Sequence, residues 1–360
     1  MTIDQPDLGA HTREEILSQP QCWRACLQKL DEEGQLAKVR ARFPGPSEWL
    51  FIGCGSSYYV ALAAAATWNE ITGGRARAVP ASDLLLFPSL VLAGPGPFQP
   101  VLISRSGRTS ETLKAAQYLE GKRNIRTLAI SCANHQSLDE VCAETLYVLP
   151  ADEQSTVMTR SFSSMLLGLQ ALAAEYGHNE KFSQALRSLP DQTPRAFDGI
   201  PARLNDFLRS RTFADYVFLG QGPFFGIASE CMLKVKEMSC SYGQVFHTLE
   251  FRHGPKAIVS PETLVTFLLS ETGFEAEAEV LREVKDLGGT TLAVTNRADE
   301  NIRRAADFLV ELNLDLPEYA RLAAYLFTGQ LLGYFTGLKK GYDPDRPRNL
   351  SRVVIISEKS

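Results

Sequence analysis

Along most of the chain, short apolar runs ending in glycine or serine alternate with longer stretches in which apolar residues recur every three or four positions. EWLFIGCG precedes SSYYVALAAAATWNE, PVLISRSG precedes RTSETLKAAQYLEGK, and IRTLAIS precedes SLDEVCAE. The runs read as buried strands and the periodic stretches as helices, which together predict parallel βα units. A second series follows the same scheme: ADYVFLGQG before FFGIASECMLKVKEM, TLVTFLLS before FEAEAEVLREVKDLG, and GTTLAVT before DENIRRAADF.

The two series run in register. Gly53 and Gly220, like Gly55 and Gly222, stand 167 positions apart; VLIS at 101–104 and FLLS at 267–270 stand 166 apart; TLAIS at 127–131 and TLAVT at 291–295 stand 164 apart. Three segments in the same order predict an internal duplication. Between the copies, residues 180–210 are polar with prolines at 190, 194 and 201, and read as connecting helices and turns. The expected organisation is a helical arm over 1–44, a first α/β lobe over 45–180, a connector over 181–210, a second lobe over 211–341 and a tail over 342–360. An apolar helix is expected over 316–340. The tail, with its apolar VVII, is expected to pack back onto the body.

At 360 residues the chain exceeds one ordinary core and suits two domains. An apolar fraction of 44% with 22% charged residues is that of a globular protein, and a net charge of -5 with scattered Lys and Arg argues against nucleic acid as a partner. MTIDQPDLGAHTREEIL lacks the pattern of a signal peptide and the run 60–66 is too short to span a bilayer, so a cytoplasmic protein without membrane contact is expected. Seven cysteines without a CxxC pair suit reduced thiols, and the spacing of Cys22 and Cys26 suits helix packing. Five dispersed histidines without ligand spacing predict no metal, and no cofactor is expected.

Open α/β sheets bind ligands beyond the carboxyl ends of their strands, where helix N-termini favour anions. The turn Ser104, Arg105, Ser106, Gly107, Arg108, Thr109, Ser110 supplies four hydroxyls, a glycine and two guanidiniums at such a place, and Ser57 adds a hydroxyl from the first strand-to-helix junction. These groups suit a phosphate monoester. The same residues also fit a helix capped by Thr109 with solvated arginines. The equivalent loop of the second lobe, 270–275, carries carboxylates in place of the guanidiniums, which predicts one phosphate site per chain. Lys234 and Glu237, three apart, share a helical face, either as a surface ion pair or as catalytic groups. In LEFRHGP, Gly254 and Pro255 end a turn and place His253 at its carbonyl end, as a cap or as a group for proton transfer.

Taken together these motifs resemble the double-domain members of the SIS, or sugar isomerase, family over nearly the whole chain. Ser104, Ser106, Gly107 and Thr109 resemble its S-x-S-G-x-T loop, Gly53 to Ser57 its G-x-G-[ST]-S turn, Leu233 to Glu237 its L-K-x-K-E helix, Arg252 to Pro255 its x-H-G-P loop and Pro347 to Leu350 its P-R-N-L tail. The resemblance implies two tandem SIS domains, each a parallel sheet flanked by helices in a flavodoxin-like three-layer sandwich. Segments 153–166 and 251–256, with Glu15, Ile16, Gln19, Pro20 and Trp23, are similar to the galactosamine-6-phosphate deaminase/isomerase branch, for which no glutaminase domain is expected with the pair. The implied activity is proton transfer between C1 and C2 of a hexosamine or ketohexose 6-phosphate, with or without loss of the amine; a non-catalytic sugar-phosphate sensor is the competing class. By resemblance Glu237, His253 and Lys234 are catalytic. Gly55, Ser56, Ser57, Ser104, Arg105, Ser106, Thr109, Ser155, Thr156 and Arg352 would bind substrate. Arg352 stands where the isomerase half of glucosamine-6-phosphate synthase, which the x-H-G-P and P-R-N-L motifs also resemble, has lysine, and a guanidinium cannot form an imine. The resemblance further implies a homodimer with a shared active site, His253 coming from a neighbouring subunit.

Overall fold

The computed structural model describes residues 8–45 and 48–356. The first residues of the expected arm, positions 46 and 47 before the first strand, and the last four residues of the tail lie outside them. Three helices, Ala10–Leu17, Gln19–Glu32 and Gln35–Arg42, form the arm. Cys22 and Cys26 sit in the second of them, buried beside Trp23, Leu27 and Leu30.

The first lobe holds five parallel strands, β1 (Glu48–Gly53), β2 (Arg75–Pro80), β3 (Phe98–Ile103), β4 (Leu128–Ser131) and β5 (Glu144–Tyr147), in the order β2-β1-β3-β4-β5. The second repeats the arrangement with β6 (Asp215–Gly220), β7 (Tyr242–Phe246), β8 (Thr263–Leu268), β9 (Thr290–Thr295) and β10 (Phe308–Glu311), in the order β10-β9-β8-β6-β7. Read from its own first strand, each sheet has the same doubly wound order. The strand bounds of β1 and β6 differ by the 167 positions seen in sequence. Central strands are buried on both faces; in β1, Trp49, Leu50, Phe51 and Ile52 are at most 3% exposed. Full burial of such side chains stabilises by about 1.5–3 kcal/mol each.

The connector is two helices, Glu180–Phe197 and Ile200–Arg209, the first running through Pro190 and Pro194. The lobes meet through their first helices, Ser56–Thr72 and Phe224–Ser239, which pack closely enough that a Cβ on Gly226 would lie 2.8 Å from the carbonyl oxygen of Tyr59. The apolar C-terminal helix begins at Leu322, after a 3-10 turn Glu318–Arg321, and ends at Lys339. It packs along Phe224–Ser239. Gly333 faces that helix, and a Cβ there would lie 2.7 Å from the carbonyl oxygen of Lys234. The tail does fold back. Asp343 accepts the N–H of Gly9, and Asp345 accepts those of His11 (3.1 Å) and Thr12 (2.7 Å), so the tail caps the first helix of the arm. Among the described residues no helix is long and apolar enough to cross a membrane.

Candidate active site

β1 and β3 are neighbours at the point where strand order reverses, and the turns after them open side by side. After β3 the Ser104 hydroxyl accepts the Gly107 N–H at 3.1 Å and stands 3.3 Å from the Thr109 hydroxyl. Gly107 has φ 64°, and a Cβ there would lie 2.7 Å from that of Gln136, so the turn requires glycine. Thr109 occupies the N-cap position of the helix Ser110–Gln117, yet its hydroxyl makes no capping bond. It faces instead a cavity of about 180 Å³, together with Ser106, Gly55, Ser56 and Ser57. Ser104 is 2% exposed and does not line this space: it braces the loop.

Arg105 borders the cavity but its guanidinium is committed elsewhere. Its Nη atoms pair with Glu153 (3.1 Å) and donate to the carbonyls of Val157 (3.1 Å), Thr156 (2.9 Å) and Arg352 (3.0 Å). Both members of the pair are buried. Arg105 thus lines the cavity while its guanidinium holds the cavity wall. The expectation that Ser155 lies at the substrate site is corrected. It is fully buried away from the cavity, and its hydroxyl donates to Glu15 and to the carbonyl of Val157. Thr156 and Met158, from the same segment, do line the space.

The opposite wall comes from the helix Phe224–Ser239 of the second lobe. Lys234 is no surface residue; it is wholly buried between Glu230 at 3.2 Å and Glu237, within 3.4 Å of the Ser56 hydroxyl. Spacing of three and four residues puts all three side chains on one helical face. Glu237 alone reaches the cavity, its side chain 18% exposed. Glu230 accepts the Ser56 hydroxyl at 3.0 Å. Burial raises its pKa to about 7, an effect that Lys234 offsets only in part. Burial opposes charge on Lys234 as well, but the two carboxylates outweigh it and hold the ammonium's pKa above its ordinary value. Glu230 was missed in the sequence, although its place one turn before Lys234 on the same face was the available signal.

The tail supplies the roof. The Ser110 N–H donates to the carbonyl of Val354 and the Ile356 N–H to the Ser110 hydroxyl, which lays Ser351, Arg352 and Val354 over the cavity. The Arg352 side chain pairs with Asp152 at 2.6 Å. Glu111 and Cys54, neither anticipated, also face the space; burial pushes the Cys54 thiol up to about 11, so it stays protonated. At this volume the cavity is below the roughly 300–1,000 Å³ of drug-sized sites and suits a small polar molecule. A larger cleft of about 570 Å³, lined by Arg195, Arg203 and Glu311 among others, holds none of these groups. His253 caps the 3-10 turn Glu250–Arg252, as its sequence context suggested, but is exposed and outside the cavity of its own chain.

In the second lobe the Ser270 hydroxyl accepts the Gly273 N–H at 2.8 Å, repeating the Ser104–Gly107 brace 166 positions on. This loop is filled by the protein itself. Glu277 accepts the N–H and hydroxyl of Ser270 (both 2.8 Å), and Glu318 accepts the N–H groups of Glu271 and Thr272 and the Thr272 hydroxyl.

The SIS domain family matches residues 47–175 and 215–332, the two lobes just described. The chain belongs to the SIS domain family. Among solved structures it is 30% identical to a glucosamine-6-phosphate deaminase from Thermotoga maritima, with a TM-score of 0.79 over 96% of this chain and 100% of that one. The tagatose-6-phosphate ketose/aldose isomerase of Escherichia coli shares the fold at 22% identity, with a TM-score of 0.84 over 97% and 96% of the two chains. Among curated proteins, the glutamine-fructose-6-phosphate aminotransferase (isomerizing) of Methanothermobacter thermautotrophicus is 25% identical over 93% of this chain and 54% of its own length. The chain thus spans about half the length of the curated relatives it matches. These SIS relatives are sugar-phosphate isomerases, deaminases and aminotransferases.

Proposed function

We propose that this protein is a sugar-phosphate isomerase that acts on a hexosamine 6-phosphate or ketohexose 6-phosphate, and that it releases ammonia when the sugar carries an amine. The observation that carries the reading is that the Glu237 carboxylate shares one cavity with the hydroxyls of Ser57, Ser106 and Thr109. The hydroxyls and two helix N-termini suit the phosphate, which would leave the sugar carbons toward Glu237. The carboxylate then takes the proton from C2 of the open aldose and returns it at C1 through an enediol or enolamine. With an amine on C2 the product is an imine; water adds to its carbon, the C–N bond breaks, and a ketose and ammonia result. Proton transfer by a positioned base contributes about 10²- to 10⁴-fold, and anchoring the phosphate adds orientation.

We also assign His253 to ring opening across a homodimer, because its loop is exposed and lies outside the cavity of its own chain. The test is an assay of the purified protein on hexosamine and ketohexose 6-phosphates that reads ammonia and isomer together. Ammonia with ketose is the expected result for an amino sugar; interconversion alone would reduce the function to a plain aldose-ketose isomerase. Ligand-induced stabilisation without turnover would point to a sensor. Glu237→Gln is expected to lower kcat at least 10²-fold while sugar-phosphate binding persists, and unchanged kcat refutes the assignment. Mixing inactive Glu237→Gln with inactive His253→Asn should restore activity if the site is shared, because mixed dimers hold one intact site.

A further inference from the structure

The arm's first helix, Ala10–Leu17, has no group in the cavity, yet its contacts hold two segments that also line it, 152–159 and the tail. The wall segment 152–159 has no regular secondary structure, so its buried backbone groups depend on side chains for partners. Three charged side chains provide them. Glu153 accepts the N–H groups of Thr159 (2.6 Å) and Ser161 (3.1 Å), and Arg105 donates to the carbonyls of Thr156 and Val157. The third is Glu15, 3% exposed, which accepts the N–H groups of Gln154 (2.5 Å) and Ser155 (3.3 Å) and the Ser155 hydroxyl.

The contacts close a ring. Arg105 ties the segment to the phosphate-type turn and to the tail at the carbonyl of Arg352. The tail returns through Asp345, whose carbonyl accepts the Thr156 N–H (3.3 Å) and whose carboxylate caps the arm helix at His11 and Thr12. Resting on the reading of the cavity as a sugar-phosphate site, we infer that Glu15 is a positioning residue: through the 153–157 segment and Arg105 it sets the wall and the tail that close over the phosphate. Glu237 and Lys234 stand on a different helix and outside this ring. Loss of the Glu15 contacts therefore loosens ground-state and transition-state binding alike and leaves the proton-transfer step intact, which is the signature of a raised KM at constant kcat.

Glu15→Gln keeps one acceptor oxygen and removes the charge that three donors share. It is expected to raise KM for the sugar phosphate that the wild-type chain turns over more than threefold and to hold kcat within twofold. Asp345→Asn cuts the ring at its other end and should give the same pattern, so it carries the test alone if Glu15→Gln does not fold. A purely structural role would lower the active fraction, and hence apparent kcat, with KM unchanged; that result, or any pattern other than the one expected, overturns the inference. Calorimetric Kd values for inorganic phosphate on the same variants keep the two readings apart. If the wild-type chain has no activity but binds phosphate more than threefold more tightly than the variants, the functional reading fails and this one stands, whereas equal binding or none overturns it.

Discussion

Replacing Glu230 by glutamine isolates the cost of the buried carboxylate behind the candidate base. The side chain is wholly buried, and burial is the first cause of a pKa raised from an ordinary 4.5 to about 7. A folded carboxyl that keeps its proton where the unfolded chain has released it binds more protons folded than unfolded. Stability from this group therefore falls as pH rises between the two values and levels off above about 7. For these two values, linkage gives a loss of about 2–3 kcal/mol between pH 5 and pH 8. Glutamine has nearly the same shape, can still accept the Ser56 hydroxyl, and does not titrate, while Glu237 continues to face Lys234 and keeps the ammonium charged. Urea unfolding of both proteins at pH 5 and pH 8 gives the double difference, in which other raised carboxyls such as Glu15 and Glu277 cancel. The wild type should lose about 2–3 kcal/mol more than Glu230→Gln over this interval. Because burial dominates over distant charges, 0.5 M salt should leave the difference in place. Parallel pH dependences in the two proteins would refute the assignment of Glu230 as a buried carboxyl whose pKa burial raises.

Gly333→Val would force the C-terminal helix away from the backbone at Lys234, so a loss of about 1–3 kcal/mol in thermal unfolding is expected, with a fall in kcat as Glu237 shifts. Arg105→Met leaves Glu153 buried without its counter-charge and should cost about 3 kcal/mol in urea unfolding. Adding Glu153→Gln should recover part of that loss, and an additive further loss would show that the pair is not coupled.

How much of this was legible depends on how strongly each residue is bound to its local pattern. β1, β3, β4, β6, β8 and β9 read as apolar runs because helices cover both their faces. β2, β5 and β7 did not, since RARAVP, ETLY and YGQVF are only partly buried, and at a sheet edge the apolar signal thins out. FLVE of β10, at the other edge of its sheet, alternates buried with half-buried residues and fades in the same way. In the site, the placement of Ser57, Ser106 and Thr109 at one cavity was legible because a turn between a buried strand and a helix sets it, whereas Ser104 turned inward to brace the loop. Arg105 was not: composition gives a guanidinium, and only the folded segment 153–157 decides that it faces inward. The same applies to Ser155, drawn to Glu15 from a distant helix, and to His253, whose neighbours in its own chain do not include the cavity.

The duplication itself explains why the chemistry is divided between the lobes. The first helices of the two copies press against each other, so charges placed on both contacting faces would have to be buried together. With the offset of 167 that relates β1 to β6, the counterparts of Glu230 and Lys234 in the first lobe are Ala63 and Thr67, both fully buried, with Thr67 donating to the carbonyl of Ala63. The first lobe thus presents a small, neutral surface to the helix that carries the buried triad. The loops divide in the opposite sense. The second lobe retains the brace at Ser270 but satisfies its donors with Glu277 and Glu318, whereas the first leaves the hydroxyls of Ser106 and Thr109 facing open space. One copy leaves hydroxyls open to the cavity, and the other places the Glu237 carboxylate at its wall. A single site results because the helix of the second lobe lies against the open loop of the first.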